Sequence, residues 1–374
     1  MSGYQMNAVA IDNSASYGND VCTLGFPAVQ NVESLPAAPI KWSWSCRALD
    51  KQDHWYVDSR KTFDPQAGDV VLVRVKNIRN HSRIMTINGE RLRLYPNDLM
   101  ICVLGNRYAT DAFEGEVQSL KRLYLLTGAG MIGTVLSRNS GTKPPTEVEF
   151  LGYLMDRKGN RVNLKSLQYR PPLQTSLPAN IIFVIGSGMN SGKTTTVTKL
   201  IRGLLDKGLK VAGCKLTGSV SHRDLLELKS TGAQDVRDFS DYGFPSTYLC
   251  SREELRGLFN SMLSDAAKSE PDVAVVEVAD GLLQRETRMI LEDAKIKSHI
   301  KGIVLTAACA SSAIYGIEQL KNSGYDLVAV SGIITNSPLY IRELSEHCEV
   351  PVASSAENSS ELADEVVNFL QKKQ

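Results

Sequence analysis

The stretch Ile181-Ile182-Phe183-Val184-Ile185-Gly186-Ser187-Gly188-Met189-Asn190-Ser191-Gly192-Lys193-Thr194-Thr195-Thr196 limits the fold more than any other part of this 374-residue chain. A β-branched apolar run enters a glycine-rich turn that closes on Gly-Lys-Thr. Apolar residues then recur at helical spacing: Val197, Leu200, Ile201, Leu204 and Leu205. Strand, glycine-rich loop and helix in that order form the setting of a phosphate-binding loop, in which backbone N–H groups and the helix N-terminus face an anion. Ser187, Gly188, Asn190, Ser191, Gly192, Lys193, Thr194 and Thr195 are the expected phosphate contacts. Lys193 would reach the terminal phosphates, and the Thr194 hydroxyl would ligate Mg²⁺.

Around this motif the second half alternates short apolar runs with amphipathic stretches. Strands are expected at 181–186, 210–216, 246–250, 273–278, 301–306, 327–334 and 350–354, with helices between them. Ser251-Arg252-Glu253-Glu254 reads as a capping box opening a helix. Runs such as Val273–Val276 are apolar on both faces, as a covered parallel sheet requires. The expected fold is α/β: a doubly wound, mostly parallel sheet over residues 180–374. Residues 1–170 are different. Short strands with turns about every ten residues, including the hairpin signal Asn88-Gly89, predict a β-rich domain, a sheet or small barrel. Residues 171–179 form a proline-rich linker, and residues 1–40 read as partly an arm.

Charge is nearly balanced, at +1 overall, although residues 1–175 hold 21 Lys/Arg against 16 Asp/Glu. That excess is too thin for a nucleic-acid stripe, so nucleic acid is not the expected partner. Seven cysteines without a C-x-x-C pair read as reduced thiols. With no run of 18 apolar residues and no leader pattern, the expectation is a cytoplasmic protein with no membrane span. A homodimer is left open.

The loop departs from G-x-x-x-x-G-K-[ST], because Ser187 stands at the first position and the glycine falls one residue earlier, at Gly186. That longer form resembles dethiobiotin synthetase and cobyrinic acid a,c-diamide synthase, within the SIMIBI class of P-loop NTPases. Gly188 stands where MinD-type ATPases carry an extra lysine. The resemblance spans residues 180–355. It implies Glu277, in Val275-Val276-Glu277-Val278-Ala279-Asp280-Gly281, as a Mg²⁺ ligand, with Asp280 an additional acid where the family has glycine. It implies Lys215, in Lys215-Leu216-Thr217-Gly218, near the transferring phosphoryl group, although the family's proline is missing. Asp224 would be a second Mg²⁺ ligand, and Asn336 would recognise adenine. Pro338 stands where a guanine-selective aspartate would, so ATP is favoured over GTP.

Lys193, Lys215 and Glu277 are thus the candidate catalytic residues, and Thr194, Glu277 and Asp224 the candidate metal ligands. The implied activity is Mg²⁺-ATP-dependent phosphoryl transfer to a small-molecule acid, of ligase, cyclo-ligase or kinase type. Two alternatives stay open: a regulatory or assembly NTPase whose β-rich domain binds a macromolecule, and a transferase using a nucleotide-bearing donor such as acyl-CoA. His222 could orient a substrate but reads first as a surface histidine, and Asp235, Asp238 and Asp241 read as a solvated run. Asn106-Arg107-Tyr108, directly after a strand, is either a binding loop or a locally packed one.

Overall fold

The computed structural model describes residues 29–32, 39–51, 53–60, 63–171, 176–354 and 360–373. The expected arm at residues 1–28 and 33–38 and the linker core at 172–175 lie outside the described residues.

In the second half six strands form one parallel sheet. Their order across it is Asp235–Asp238, Val211–Lys215, Val273–Val278, Ile181–Gly186, Ile300–Thr306 and Leu327–Ser331. Both faces are covered. Ile181, Phe183 and Ile185 pack with Phe259, Met262 and Ile303 on one side. Ile182 and Val184 pack with Val197, Leu200, Leu362 and Val366 on the other. This is why the strands are apolar at every position rather than at alternate ones. The strand bearing the phosphate-binding loop is central, between the strand that ends near Glu277 and the one that ends at Thr306.

Three expected strands differ from the structure. Residues 246–250 are irregular, with Leu249 at a φ of 65°. At 350–354 a single bridge, Val330 to Val352, replaces a strand. The run at 327–334 stops at Ser331, because Gly332 takes a φ of 90° and a short 3-10 turn, Ile333–Asn336, follows. The sheet's edge strand is instead Asp235–Asp238, whose Asp-Val-Arg-Asp sequence carries no apolar signal. Asp238 there is only 1% exposed. Its carboxylate and that of Asp241 form a capping box over the following 3-10 turn, so these acids are structural rather than a solvated run.

The first half is a barrel. Thr146–Met155 pairs with Val70–Asn77, which pairs with Leu99–Leu104, then Met131–Arg138, then Leu123–Leu125, and the last returns to Thr146–Met155. Val71, Val73, Met100, Cys102, Leu125, Ile132 and Phe150 fill it. The alternate residues Val70, Leu72, Ile101 and Val103 form a second core that takes in Val220 of the parallel-sheet half. The Asn88-Gly89 signal lies in a hairpin, Arg83–Met85 against Arg91–Arg93.

The halves are joined by directional contacts. Arg47 bonds Ser240 at 2.9 Å and pairs with Asp241 at 2.5 Å, Lys165 pairs with Glu254 at 2.6 Å, and the Trp44 and His222 rings meet edge-on at 4.4 Å. Among the described residues no helix is long and apolar enough to cross a membrane.

Candidate functional site

The loop from Gly186 to Lys193 is held by close backbone approaches. Gly192 opens the helix Lys193–Asp206 at a φ of 95°, and the Ser191 hydroxyl lies 2.8 Å from that of Thr306 at the end of the adjacent strand. A Cβ on Gly281 would stand 2.6 Å from the Gly188 Cα, so only glycine lets this loop pack against the end of Val273–Val278. Lys193 is buried and donates to the carbonyls of Gly188, at 2.9 Å, and Asp280. Burial lowers its proton affinity, partly opposed by Glu277 and Asp280.

Four side chains form one chain of contacts beside the lysine. The Thr194 hydroxyl donates to Glu277 Oε1 at 3.3 Å. Lys215 Nζ is 3.3 Å from the same oxygen and pairs with Asp224 on its other side. Burial alone would strip the Lys215 proton, but Glu277 and Asp224 outweigh it and hold the ammonium above the ordinary lysine range. Burial likewise pushes the Asp224 carboxyl up, and Lys215 draws it below its usual value. Asp224 also sits in the first turn of the helix His222–Ser230, whose cap is Ser221.

Glu277 is 1% exposed, and its Oε2 is a buried oxygen with no hydrogen-bond partner. A buried carboxylate oxygen left bare is costly. Thr194, Glu277 and Asp224 are all hard oxygen donors, the set a divalent cation shared with phosphates and water requires. Among the described residues no cluster of three or more His, Cys, Asp or Glu forms a metal cage of its own. Two carboxylates and a hydroxyl are donors of the kind that Mg²⁺ held jointly with a nucleotide would take. Asn336 stands apart, exposed at the end of the 3-10 turn Ile333–Asn336 and beyond these contacts.

Between the halves lies a cavity of about 460 Å³. Its parallel-sheet wall holds Met189, Lys215, Asp224, His222 and Asp280, and its barrel wall holds His81, Arg83, Arg91, Arg107, Tyr108 and Asp111. Asp280 is pushed up to about 6 by burial, against the pull of Lys193 and Lys215. His81 is pushed down to about 4 by burial and by Arg107. The barrel also touches the phosphate-binding loop: Asn190 Nδ2 donates to Asp111 Oδ2 at 2.9 Å, and Thr110 Oγ1 donates to Met189 Sδ at 3.6 Å. His222 is part-buried against Trp44 on this wall, and Arg107 and Tyr108 belong to it too.

The second half is a parallel sheet covered by helices on both faces, with a glycine-rich loop between its central strand and the helix Lys193–Asp206. No protein-family model and no curated protein matches the chain. Among solved structures it is similar to the signal recognition particle receptor FtsY of Elizabethkingia anophelis, at 18% identity over 55% of this chain and 74% of that one, with a TM-score of 0.34. The hydrogenase maturation factor HypB of Archaeoglobus fulgidus matches at 11% identity over 52% and 90%, with a TM-score of 0.34. The cell division ATPase MinD of Pyrococcus furiosus matches at 14% over 52% and 100%, with a TM-score of 0.35.

Sequence alone nominates Lys193, Thr194, Lys215, Asp224 and Glu277 separately, and the fold brings the last four into one chain of contacts beside Lys193. It misses Arg83, Arg91 and Asp111 on the cavity wall, and Thr306 and Gly281 against the loop. Gly281 carries a usable signal, as a glycine closing an acidic strand end. The others lie far from the loop in sequence and carry no local motif.

Proposed function

We propose that this chain is a Mg²⁺- and ATP-dependent enzyme that transfers the γ-phosphoryl group to a small acid bound in the cavity between the two halves. One observation carries the reading: the cavity opens directly onto Lys215, Asp224 and Asp280, beside the phosphate-binding loop. Its volume, about 460 Å³, falls in the range of small-molecule sites, roughly 300–1,000 Å³. The crevice beyond the carboxyl ends of parallel strands is where such folds bind ligands.

In this reading Lys193 exchanges its carbonyl partners for phosphate oxygens, and Lys215 neutralises charge on the group in transfer. Thr194, Glu277 and Asp224 would hold Mg²⁺, which when bound offsets the charge of the phosphates. An acceptor oxygen forms a bond to the γ-phosphorus as the bond to the bridging β–γ oxygen breaks, and ADP leaves with that electron pair. A carboxylate acceptor has no proton to lose. A hydroxyl acceptor would hand its proton to Asp280, the cavity acid placed beside Lys193. Asn336, at the end of the strand-and-turn segment after Leu327, is the proposed adenine contact, which selects ATP.

The test is ADP release by the full chain, alone and with pools of small carboxylic and carbamic acids. A slow basal rate with a large rise for one pool is expected. Stimulation by a protein or nucleic acid and by no small acid would sink the reading in favour of a switch. Binding of acyl-CoA with no ADP release would point to a transferase instead.

A further inference from the structure

The barrel wall of the cavity carries a charge arrangement that the phosphoryl-transfer reading does not use. In the hairpin Arg83–Met85 with Arg91–Arg93, Arg83 lies opposite Arg93 and Met85 opposite Arg91. Residues two apart on a strand share a face, so Arg83, Arg91 and Arg93 stand on one face. Ile84 and Leu92 stand on the other, with Ile84 buried. Like charges facing each other across a two-stranded ladder are destabilising. None of the three arginines forms an ion pair with a described acid. Arg83 and Arg91 line the cavity.

Arg107 joins them from the loop after Leu99–Leu104. Its Nη1 donates to the Leu126 carbonyl, and its Nε is buried with no hydrogen-bond partner. The barrel contributes one acid to this wall, Asp111, and that carboxylate is already engaged by Asn190. Among the described residues, Arg83 and Arg91 therefore face the cavity with no counter-charge on their own wall, and Arg107 beside them is balanced only by Asp111 and by Asp280 opposite. Guanidinium groups bind carboxylate and phosphate by paired, directional N–H donors.

We propose that the Arg83, Arg91 and Arg107 wall binds a second anionic group, phosphate or carboxylate, carried by the substrate at the end away from the reacting atom. The substrate is then a small molecule with two acidic groups. One faces Lys215 and the phosphate-binding loop, and the other is held by the barrel. This rests on the assignment of the cavity as the acceptor site. The barrel then sets the length of the substrate that fits between the halves.

The experiment is calorimetry on the full chain saturated with Mg²⁺ and a non-hydrolysable ATP analogue, so that the phosphate-binding loop is filled. The probes are inorganic phosphate and succinate, in separate titrations, together with a single-stranded oligonucleotide of about ten residues. Saturable binding of phosphate or succinate is expected, and whichever binds tells the source of the anion. The double variant Arg83→Gln, Arg91→Gln should weaken it at least tenfold while fluorescent-ATP affinity stays unchanged. Arg107→Met should weaken it similarly. The exposed hairpin pair is the primary test, because Arg107 is partly buried and its variant could fail to fold. Absence of saturable binding by both small anions, or wild-type affinity in the hairpin variant, overturns the proposal. So does an oligonucleotide that binds and is lost with the same arginines. If fluorescent ATP itself fails to bind, the nucleotide-site reading falls, independently of the anion result.

Discussion

The two halves of this chain are both built on sheets, yet they meet the same problem in opposite ways. The parallel sheet buries both faces of every strand, so its polar groups are pushed to the strand ends, and Lys215, Glu277 and Thr306 all collect at one edge. The barrel buries one alternate set of residues inside and a second set against its surroundings. Its polar groups therefore project from loops and from the short Arg83–Arg93 hairpin. The first arrangement concentrates chemistry where a nucleotide would bind. The second spreads recognition over segments distant in sequence. The cavity exists because these two edges face each other.

The largest expected effect separates chemistry from recognition. Lys193→Ala should abolish ATP turnover and leave the barrel and the sheet folded. Removing a directed charge of this kind costs about 2.7–4 kcal/mol of transition-state stabilisation, or roughly a hundred- to a thousandfold in rate. Steady-state ADP release with circular dichroism checks both, and a fully active variant would place the reaction elsewhere.

Glu277→Gln comes next. Its carboxylate is the buried one with a bare oxygen, and a neutral amide is a poorer ligand for a hard cation. Turnover should drop by about tenfold to a hundredfold, with nucleotide affinity changing less, on the scale of about 1.4–2.8 kcal/mol. The metal assignment would be wrong if Asp280→Asn did the damage and Glu277→Gln were silent.

Separating the halves is a more direct attack on the contrast. Every residue assigned to the nucleotide lies between Ser187 and Asn336, so the fragment 176–374 should bind ATP within about tenfold of the whole chain, or about 1.4 kcal/mol. It should lose all response to acceptor. Val220 and Tyr169 make this demanding: the first packs in the barrel's core, and the second, just before the fragment begins, packs against Gly257. A fragment without ATP binding would mean that the barrel builds part of the nucleotide pocket, through the grip of Asp111 on Asn190.

The smallest effect concerns the joint itself. Burial, reinforced by neighbouring Asp241, pushes Asp238 up to about 6, while Lys215 and the Ser240 donors oppose it. The unfolded chain gives up this proton near pH 4, so between about pH 4 and 6 the native state binds more protons. Stability from this group falls as pH rises through that window. Asp238→Asn should therefore flatten the melting-temperature profile, narrowing the drop between about pH 4 and 6 by about 2–4 °C. An unchanged profile would show that Asp238 is ionised throughout.

The helix cap at Ser251 and the strand before the phosphate-binding loop could be read locally, because each depends on neighbours within a few residues. The Asp235–Asp238 strand could not. Its Asp-Val-Arg-Asp sequence has no apolar run, and it joins the sheet only because Val211–Lys215 offers it an edge. The span 246–250 forms no strand: Ser246 makes a single bridge to Ser219, and Leu249 turns the backbone at a φ of 65°.

By itself the sequence determined the phosphate-binding loop, its strand and helix, the parallel sheet around it and the β-rich character of the first half. All of these follow from periodicity and from backbone needs that are satisfied within one element. Only the tertiary structure decided that the barrel closes on itself, that Thr194, Glu277, Lys215 and Asp224 touch, and that Asp111 reaches Asn190 across 79 positions of sequence. Such contacts are set by how two cores pack against each other, and no local pattern of residues records which distant edges will meet.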